Sequence, residues 1–230
     1  MPKNELLAKE LATLGRYQSG HPFDDYFADT VGIVGRDLSQ LQDFWIERSS
    51  SVQSKGNWGP SFDVVIAGLV TDVRNRGDNQ YIVRMEDGRD EIEVTFFRDA
   101  AQEYGHLLTR DRVLIVSGGL SEDRFNGGLM VKAKQAWDFD QFCSRFAKTA
   151  VISVDLNVAS LAGIQSVLSS HREGRVPLRW EILSTRGARG VVDQDGERAI
   201  RLDAKLPAVL RAQPGVRRLR LNFERPWATE

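Results

Sequence analysis

A single cysteine, Cys143, stands among 230 residues, which excludes an intrachain disulfide and suits a reducing compartment. Its apolar neighbours Phe142 and Phe146 mark it as a buried, inert thiol. Three histidines, His21, His106 and His171, lie far apart and lack the paired spacing of a metal centre. His21 precedes Pro22 in a turn, and His106 and His171 fall near predicted helix C-termini, where they suit the dipole. No apolar run approaches the roughly 20 residues that cross a bilayer, and the N-terminal Met-Pro-Lys-Asn-Glu has no apolar signal region. The expectation is a soluble, cytoplasmic protein without membrane contact. There is no Gly-rich phosphate loop ending in Lys-Ser/Thr, and Gly187-Ala188-Arg189-Gly190 reads as a turn. The acid pairs Asp24-Asp25, Glu86-Asp87 and Asp90-Glu91 sit on expected turns, whereas two-metal chemistry needs carboxylates that converge. No catalytic residue, metal or cofactor is therefore expected, and the chain reads as a binding module.

Net charge is also scarce, at −1, but its layout is uneven. Residues 151–230 carry 13 Lys/Arg against 9 Asp/Glu, whereas 1–60 carry 6 against 8 and 61–150 carry 12 against 15. A nucleic-acid role must then rest on local patches, because the global charge gives it no support.

What is present is a succession of strand-like runs. Residues 62–74, 80–86, 91–97, 112–121 and 128–138 alternate at period two, with a helix-like stretch, 98–108, between the third and fourth. That order predicts a five-stranded OB-type β-barrel, whose open face and loops grip single strands or partners. Alternation assigns the faces: Tyr81, Val83 and Met85 against Ile82, Arg84 and Glu86; Ile92, Val94 and Phe96 inward with Glu91, Glu93, Thr95 and Phe97 outward; Leu129, Val131 and Ala133 inward with Met130, Lys132 and Lys134 outward. Gly118, Gly119, Gly127 and Gly128 supply bends, and Asn126-Gly127 a hairpin turn.

Around the barrel the predicted fold class is mixed β and α+β. Residues 1–46 form a helical lead-in, with Asn4 capping a helix through Leu6, Leu7, Leu11 and Leu14, and a second acidic amphipathic stretch at 23–27. A Ser- and Gly-rich linker follows at 47–61, the barrel domain at 62–138, and a connecting helix at 139–149. Residues 150–230 give a small α+β domain in the order strand, helix, strand, strands, helix, strand.

The nucleic-acid candidates are Arg74, Arg76, Asn79, Tyr81, Arg84, Phe97, Arg124, Phe125, Lys132 and Lys134. Exposed aromatics stack bases while Lys and Arg follow phosphates, which predicts weak, salt-sensitive binding of single-stranded DNA. The alternative is that Tyr81 and Phe125 pack the core or hairpin and the cations merely solvate; Glu91 and Glu93 on the outer face favour it.

These tracts also resemble a family. Leu14-Gly15-Arg16-Tyr17-Gln18-Ser19-Gly20-His21-Pro22 is similar to the Leu-Gly-x-Tyr-x-Ser-Gly-His-Pro element of the bacterial DNA polymerase III alpha subunit. Ala67-Gly68-Leu69-Val70, Met85-Glu86-Asp87, Ile92-Glu93-Val94-Thr95-Phe96-Phe97, Val113–Gly118 and Asp123–Leu129 resemble tracts of its OB domain, in family order. Residues 150–230 resemble its last domain more loosely. The resemblance implies a non-catalytic C-terminal part of a replicative polymerase, or a short relative, contacting single-stranded DNA through the barrel and other replisome proteins besides. The family's phosphoesterase-like and palm domains would lie outside this chain, and no Gln-x-x-(Leu/Met)-Phe clamp box occurs in residues 1–13. It further implies that the last domain docks the tau subunit of the clamp loader, with Leu219, Leu221, Phe223 and Trp227 as candidates. Leu219, Leu221 and Phe223 also alternate as one strand face and read equally as core. The first barrel loop departs from the family's lysine-rich pattern, and its Asp78 would weaken phosphate contact. The competing reading is a stand-alone protein–protein interaction module with an OB fold and no nucleic-acid binding. An anticodon-binding module of a synthetase ranks below both, because no ATP-binding motif adjoins it.

Overall fold

The computed structural model describes residues 7, 9–10, 13, 17–50, 59–77, 79–123, 127–183, 189–193 and 199–224. It divides into two compact units, Met1–Asp138 and Phe139–Glu230.

In the first unit, α1 (Asp24–Val34), a 3-10 turn (Leu38–Gln40) and α2 (Leu41–Ser49) precede the strands. The helical lead-in thus runs three residues into the stretch expected as linker; residues 51–58 lie outside the described residues, as does the expected cap Asn4. Strands β1 (Phe62–Asn75), β2 (Gln80–Glu86), β3 (Glu91–Phe97), β4 (Val113–Glu122) and β5 (Leu129–Asp138) close into a barrel in the order β1-β2-β3-β5-β4. Helix α3 (Arg98–Tyr104) and a 3-10 turn (Gly105–Leu107) join β3 to β4. Strand β1 is long enough to serve two neighbours: its first half pairs with β4, and its second half, beyond a register shift at Val70/Asp72, pairs with β2. Closure comes from the parallel β3–β5 contact, Glu93 opposite Met130 and Thr95 opposite Lys132.

Period-two alternation fills the barrel as expected at Val83, Met85, Val94, Phe96 and Val131, all at 0% exposure. Thr95 keeps its expected outward parity, opposite Ile82 and Lys132 on the neighbouring strands, yet is buried at 3%, so facing outward does not make it accessible. The lead-in side chains Leu38, Leu41, Phe44 and Trp45 join the same apolar cluster as the inward residues of the barrel. Phe62 holds the junction, edge-on to Phe44 and to Trp45 with centroids 6.2 and 5.3 Å apart.

The lead-in is also pinned at the tract carrying the Ser-Gly-His-Pro residues. His21 Nδ1 accepts the Phe23 backbone N–H (3.1 Å), which leaves the Nε2 proton to donate to Glu86 at 2.9 Å. Gly88, at φ +82°, passes so close that an added Cβ would sit 3.1 Å from the His21 side chain.

In the second unit, α4 (Phe139–Phe146), β6 (Ala147–Asp155), α5 (Leu161–Ser169), β7 (Arg172–Val176), β8 (Leu178–Leu183), β9 (Arg189–Asp193), α6 (Leu206–Arg211) and β10 (Val216–Phe223) build an α+β domain. Its sheet runs β10-β6-β8-β9, with β6 and β8 parallel and the outer pairs antiparallel. Cys143 is buried in its core beside Phe142, both at 0%.

Candidate nucleic-acid interface

A groove of about 660 Å³ crosses the outer face of β2, β3 and β5. Its floor is Gln80 and Ile82 from β2, Glu93, Thr95 and Phe97 from β3, and Met130 and Lys132 from β5. Arg76 stands at one end, Ser121, Glu122 and Asp123 line another part, and Trp45 with Gly59, Pro60 and Ser61 forms a wall. Phe97 is 43% exposed, ample for one ring face to take a planar partner.

The end carrying Arg76 is shaped by the β1–β2 turn. Arg76 N–H donates to Gln80 C=O at 2.8 Å, and Gly77 takes φ +91°, a backbone angle that side-chain-bearing residues rarely adopt. Asn79 is exposed on this turn, and its carbonyl accepts the Arg98 N–H at 2.9 Å, tying the turn to the start of α3.

The sequence candidates separate on this surface. Arg76, Phe97 and Lys132 meet in the groove. Arg74 and Arg84 do not present free guanidinium groups, because cross-strand register puts acids beside them. Glu93, directly opposite Arg84 on the β2–β3 ladder, accepts from Arg74 and lies 3.8 Å from Arg84, which is also 3.6 Å from Glu91. Asp72 extends the row, 3.4 Å from Arg74 and 2.6 Å from Arg110. The hydrogen bond from Arg110 holds the Asp72 carboxyl below its ordinary range. Lys134 lies against Asp63 at 2.7 Å, both exposed, a pair that a phosphate can displace at little cost.

Tyr81 corrects the stacking list: it shares the inward parity of Val83 and Met85 and packs on the barrel core, under Gly105. Arg124, Phe125 and Asp78 lie outside the described residues, as does Trp227. Leu219 and Leu221, candidates for partner contact, are buried at 6% and 5% in the second unit's own core. Phe223, on the same strand face, packs on Phe142 with centroids 5.4 Å apart. Alternation made both readings available, and burial on that face decides for core at the two leucines.

Most of the groove's lining was not singled out from the sequence, including Trp45, Gln80, Ile82, Ser121 and Met130. Gln80, Ile82 and Met130 share outward parity with residues already chosen, so the signal was there. Trp45 carries no such signal, because only the packing of α2 brings it to the strands.

A family model described as an OB-fold nucleic acid binding domain matches residues 64–138. The barrel is an OB fold. Along 98% of its length the chain is similar, at 41% identity, to the DNA polymerase III subunit alpha of Xylella fastidiosa, of which it covers 19%. The same subunit of Escherichia coli K12 is 33% identical over 77% of this chain and 15% of that protein. The chain thus spans less than a fifth of the length of these curated relatives. Among solved structures, an OBody bound to hen egg-white lysozyme matches 34% of this chain and 80% of its own, at 23% identity and a TM-score of 0.30. Among the described residues, no helix is long and apolar enough to cross a membrane, and no group of three or more His, Cys, Asp or Glu could hold a metal ion.

Proposed function

We propose that this chain is a non-catalytic C-terminal part of a replicative polymerase of the DNA polymerase III alpha type, acting in the cytoplasm. Its OB groove holds single-stranded DNA weakly, and its second unit contacts the tau subunit of the clamp loader and other replisome proteins. What carries the DNA reading is the meeting of an exposed Phe97 with Arg76 and Lys132 in one groove. A base stacks on the ring, worth about 1–3 kcal/mol, while the two cations follow the flanking phosphates. Fluorescence anisotropy with labelled oligo-dT at two salt concentrations tests this. The expected result is binding at low salt, lost as salt rises and weakened about tenfold or more by Phe97→Ala; no binding at low salt removes the DNA role.

The tau reading rests on similarity over the whole chain, with Phe223 and Trp227 retained as candidates. Calorimetric titration with purified tau subunit tests it, and absence of heat and of complex would count against it. Primer extension with Mg²⁺ and dNTPs is expected to yield no incorporation from this chain alone.

A second reading, a protein-only interaction module, draws on the acids Glu91 and Glu93 beside Arg84. It is favoured if oligo-dT fails at low salt while a replisome protein binds.

A further inference from the structure

Two arginines from neighbouring strands converge on one carboxylate at the edge of the groove. Arg74 of β1 donates to Glu93, and Arg84 of β2 lies 3.8 Å from the same oxygen. Both guanidinium groups are accessible, with side chains 40% and 43% exposed, while Glu93 is more enclosed at 24%. Arg84 Nε is shut off from solvent without a hydrogen-bond partner, so this arginine is only partly satisfied by its acids. Two planar forks around one anionic oxygen match the way guanidinium groups hold a phosphate. Glu93 itself lines the groove with Phe97 and Lys132.

We infer that Arg74 and Arg84 form a phosphate site which the protein's own Glu93 occupies, so that Glu93 limits the affinity of the groove for single-stranded DNA. The inference rests on the reading of the groove as a DNA site and adds the residue that sets its strength. A backbone phosphate of a strand stacked on Phe97 competes with the Glu93 carboxylate for the same two cations. With Glu93 in place, the competition nearly cancels. With a neutral amide there, both arginines become available and the groove loses one like charge facing the strand.

The experiment is a double-mutant cycle by oligo-dT anisotropy over a salt series, with thermal melting to show that each variant is folded. Glu93→Gln is expected to tighten binding about fivefold or more at low salt and to steepen the salt dependence by about 0.7 for each arginine that takes a phosphate, about 1.4 for both. Arg84→Gln is expected to change affinity little in the wild-type background and to remove most of the gain in the Glu93→Gln background. If the wild type binds and Glu93→Gln binds no tighter with an unchanged slope, the inference fails and the DNA reading stands. If only Glu93→Gln binds, the inference stands and the wild-type DNA role falls. If neither binds, both fall. Should Glu93→Gln not fold, Glu93→Ala in the same cycle carries the test, and an Arg84→Gln loss as large in the wild type as in that variant would overturn the proposal.

Discussion

Asp87 is 5% exposed, yet its carboxylate is well served: it accepts the backbone N–H groups of Leu38 at 2.9 Å, Arg89 at 2.9 Å and Asp90 at 3.0 Å. Two of these bonds shape the β2–β3 turn, and the third holds the start of the 3-10 turn that leads into α2. Next to it, Glu86 accepts the hydrogen bond from His21 Nε2, so adjacent residues on one turn fasten two separate points of the lead-in. The tract Met85-Glu86-Asp87 therefore divides its work among core, latch and cap, with Met85 at 0% exposure. Asp87→Ala leaves the enclosed Leu38 N–H without an acceptor and returns those of the exposed Arg89 and Asp90 to water, and is expected to cost about 1–3 kcal/mol. Urea unfolding checks this; a loss under about 0.5 kcal/mol would mean that the turn does not depend on the carboxylate.

At the scale of elements, β4 and β5 approach so closely that one position excludes any side chain. A Cβ on Gly118 would lie 2.3 Å from the Lys132 carbonyl oxygen and 2.8 Å from Val131, beside the register shift between Ser117 and Gly118. Backbone cannot yield as a side-chain tip can, so Gly118→Ala is expected to destabilise by about 1–3 kcal/mol through overpacking. Its effect should appear in the denaturation midpoint of the first unit; an unchanged midpoint would refute it. In the second unit, Asp203 organises the start of α6. Its Oδ1 accepts from the N–H groups of Lys205 (3.0 Å) and Leu206 (2.9 Å), and its Oδ2 lies 3.2 Å from His171 Nε2. Burial raises the Asp203 pKa, but those N–H donors and His171 outweigh it, leaving the group below its ordinary 3.8. A carboxyl with a depressed folded pKa stabilises above its unfolded value and ceases to do so as pH falls through the folded one. Asp203→Ala is thus expected to cost about 1 kcal/mol near neutrality, the gap to wild type closing below pH 3.8. A gap that is constant with pH would show that the charge plays no part.

For the whole molecule, the informative fact is that the first unit's core does not stop at the barrel. Leu38, Leu41, Phe44 and Trp45 are as enclosed as the strand residues they touch, from 3% to 8% exposed. Burying such a side chain stabilises by roughly 1.5–3 kcal/mol, so a chain trimmed to start at residue 59 should lose several kcal/mol and Trp45 from the groove wall. Comparing urea midpoints of the trimmed and intact proteins checks it, and equal midpoints would show that the lead-in is a passive attachment. How much of this was legible in the sequence varies with the range of the interaction concerned. Strand order, the helix between β3 and β4, and the identity of Val83, Met85, Val94 and Phe96 as core are local consequences of period-two patterning, and they could be read directly. Period-two parity placed Tyr81 with the core and Thr95 on the outer face, but the burial of Thr95 and the arrival of Trp45 at the groove depend on the tertiary packing around them. Arg74 and Arg84 looked like phosphate ligands because a list of residues holds no register; Glu93 becomes their partner only when β3 is set against β2 with Arg84 and Glu93 opposite. The amino-acid order by itself determined which side chains face in and which face out, because alternation is a property of each strand alone. Only the tertiary structure decided which outward charges neutralise one another and which stay open to a ligand, because Coulomb pairing acts between strands over a few ångströms of space, whatever their separation along the chain.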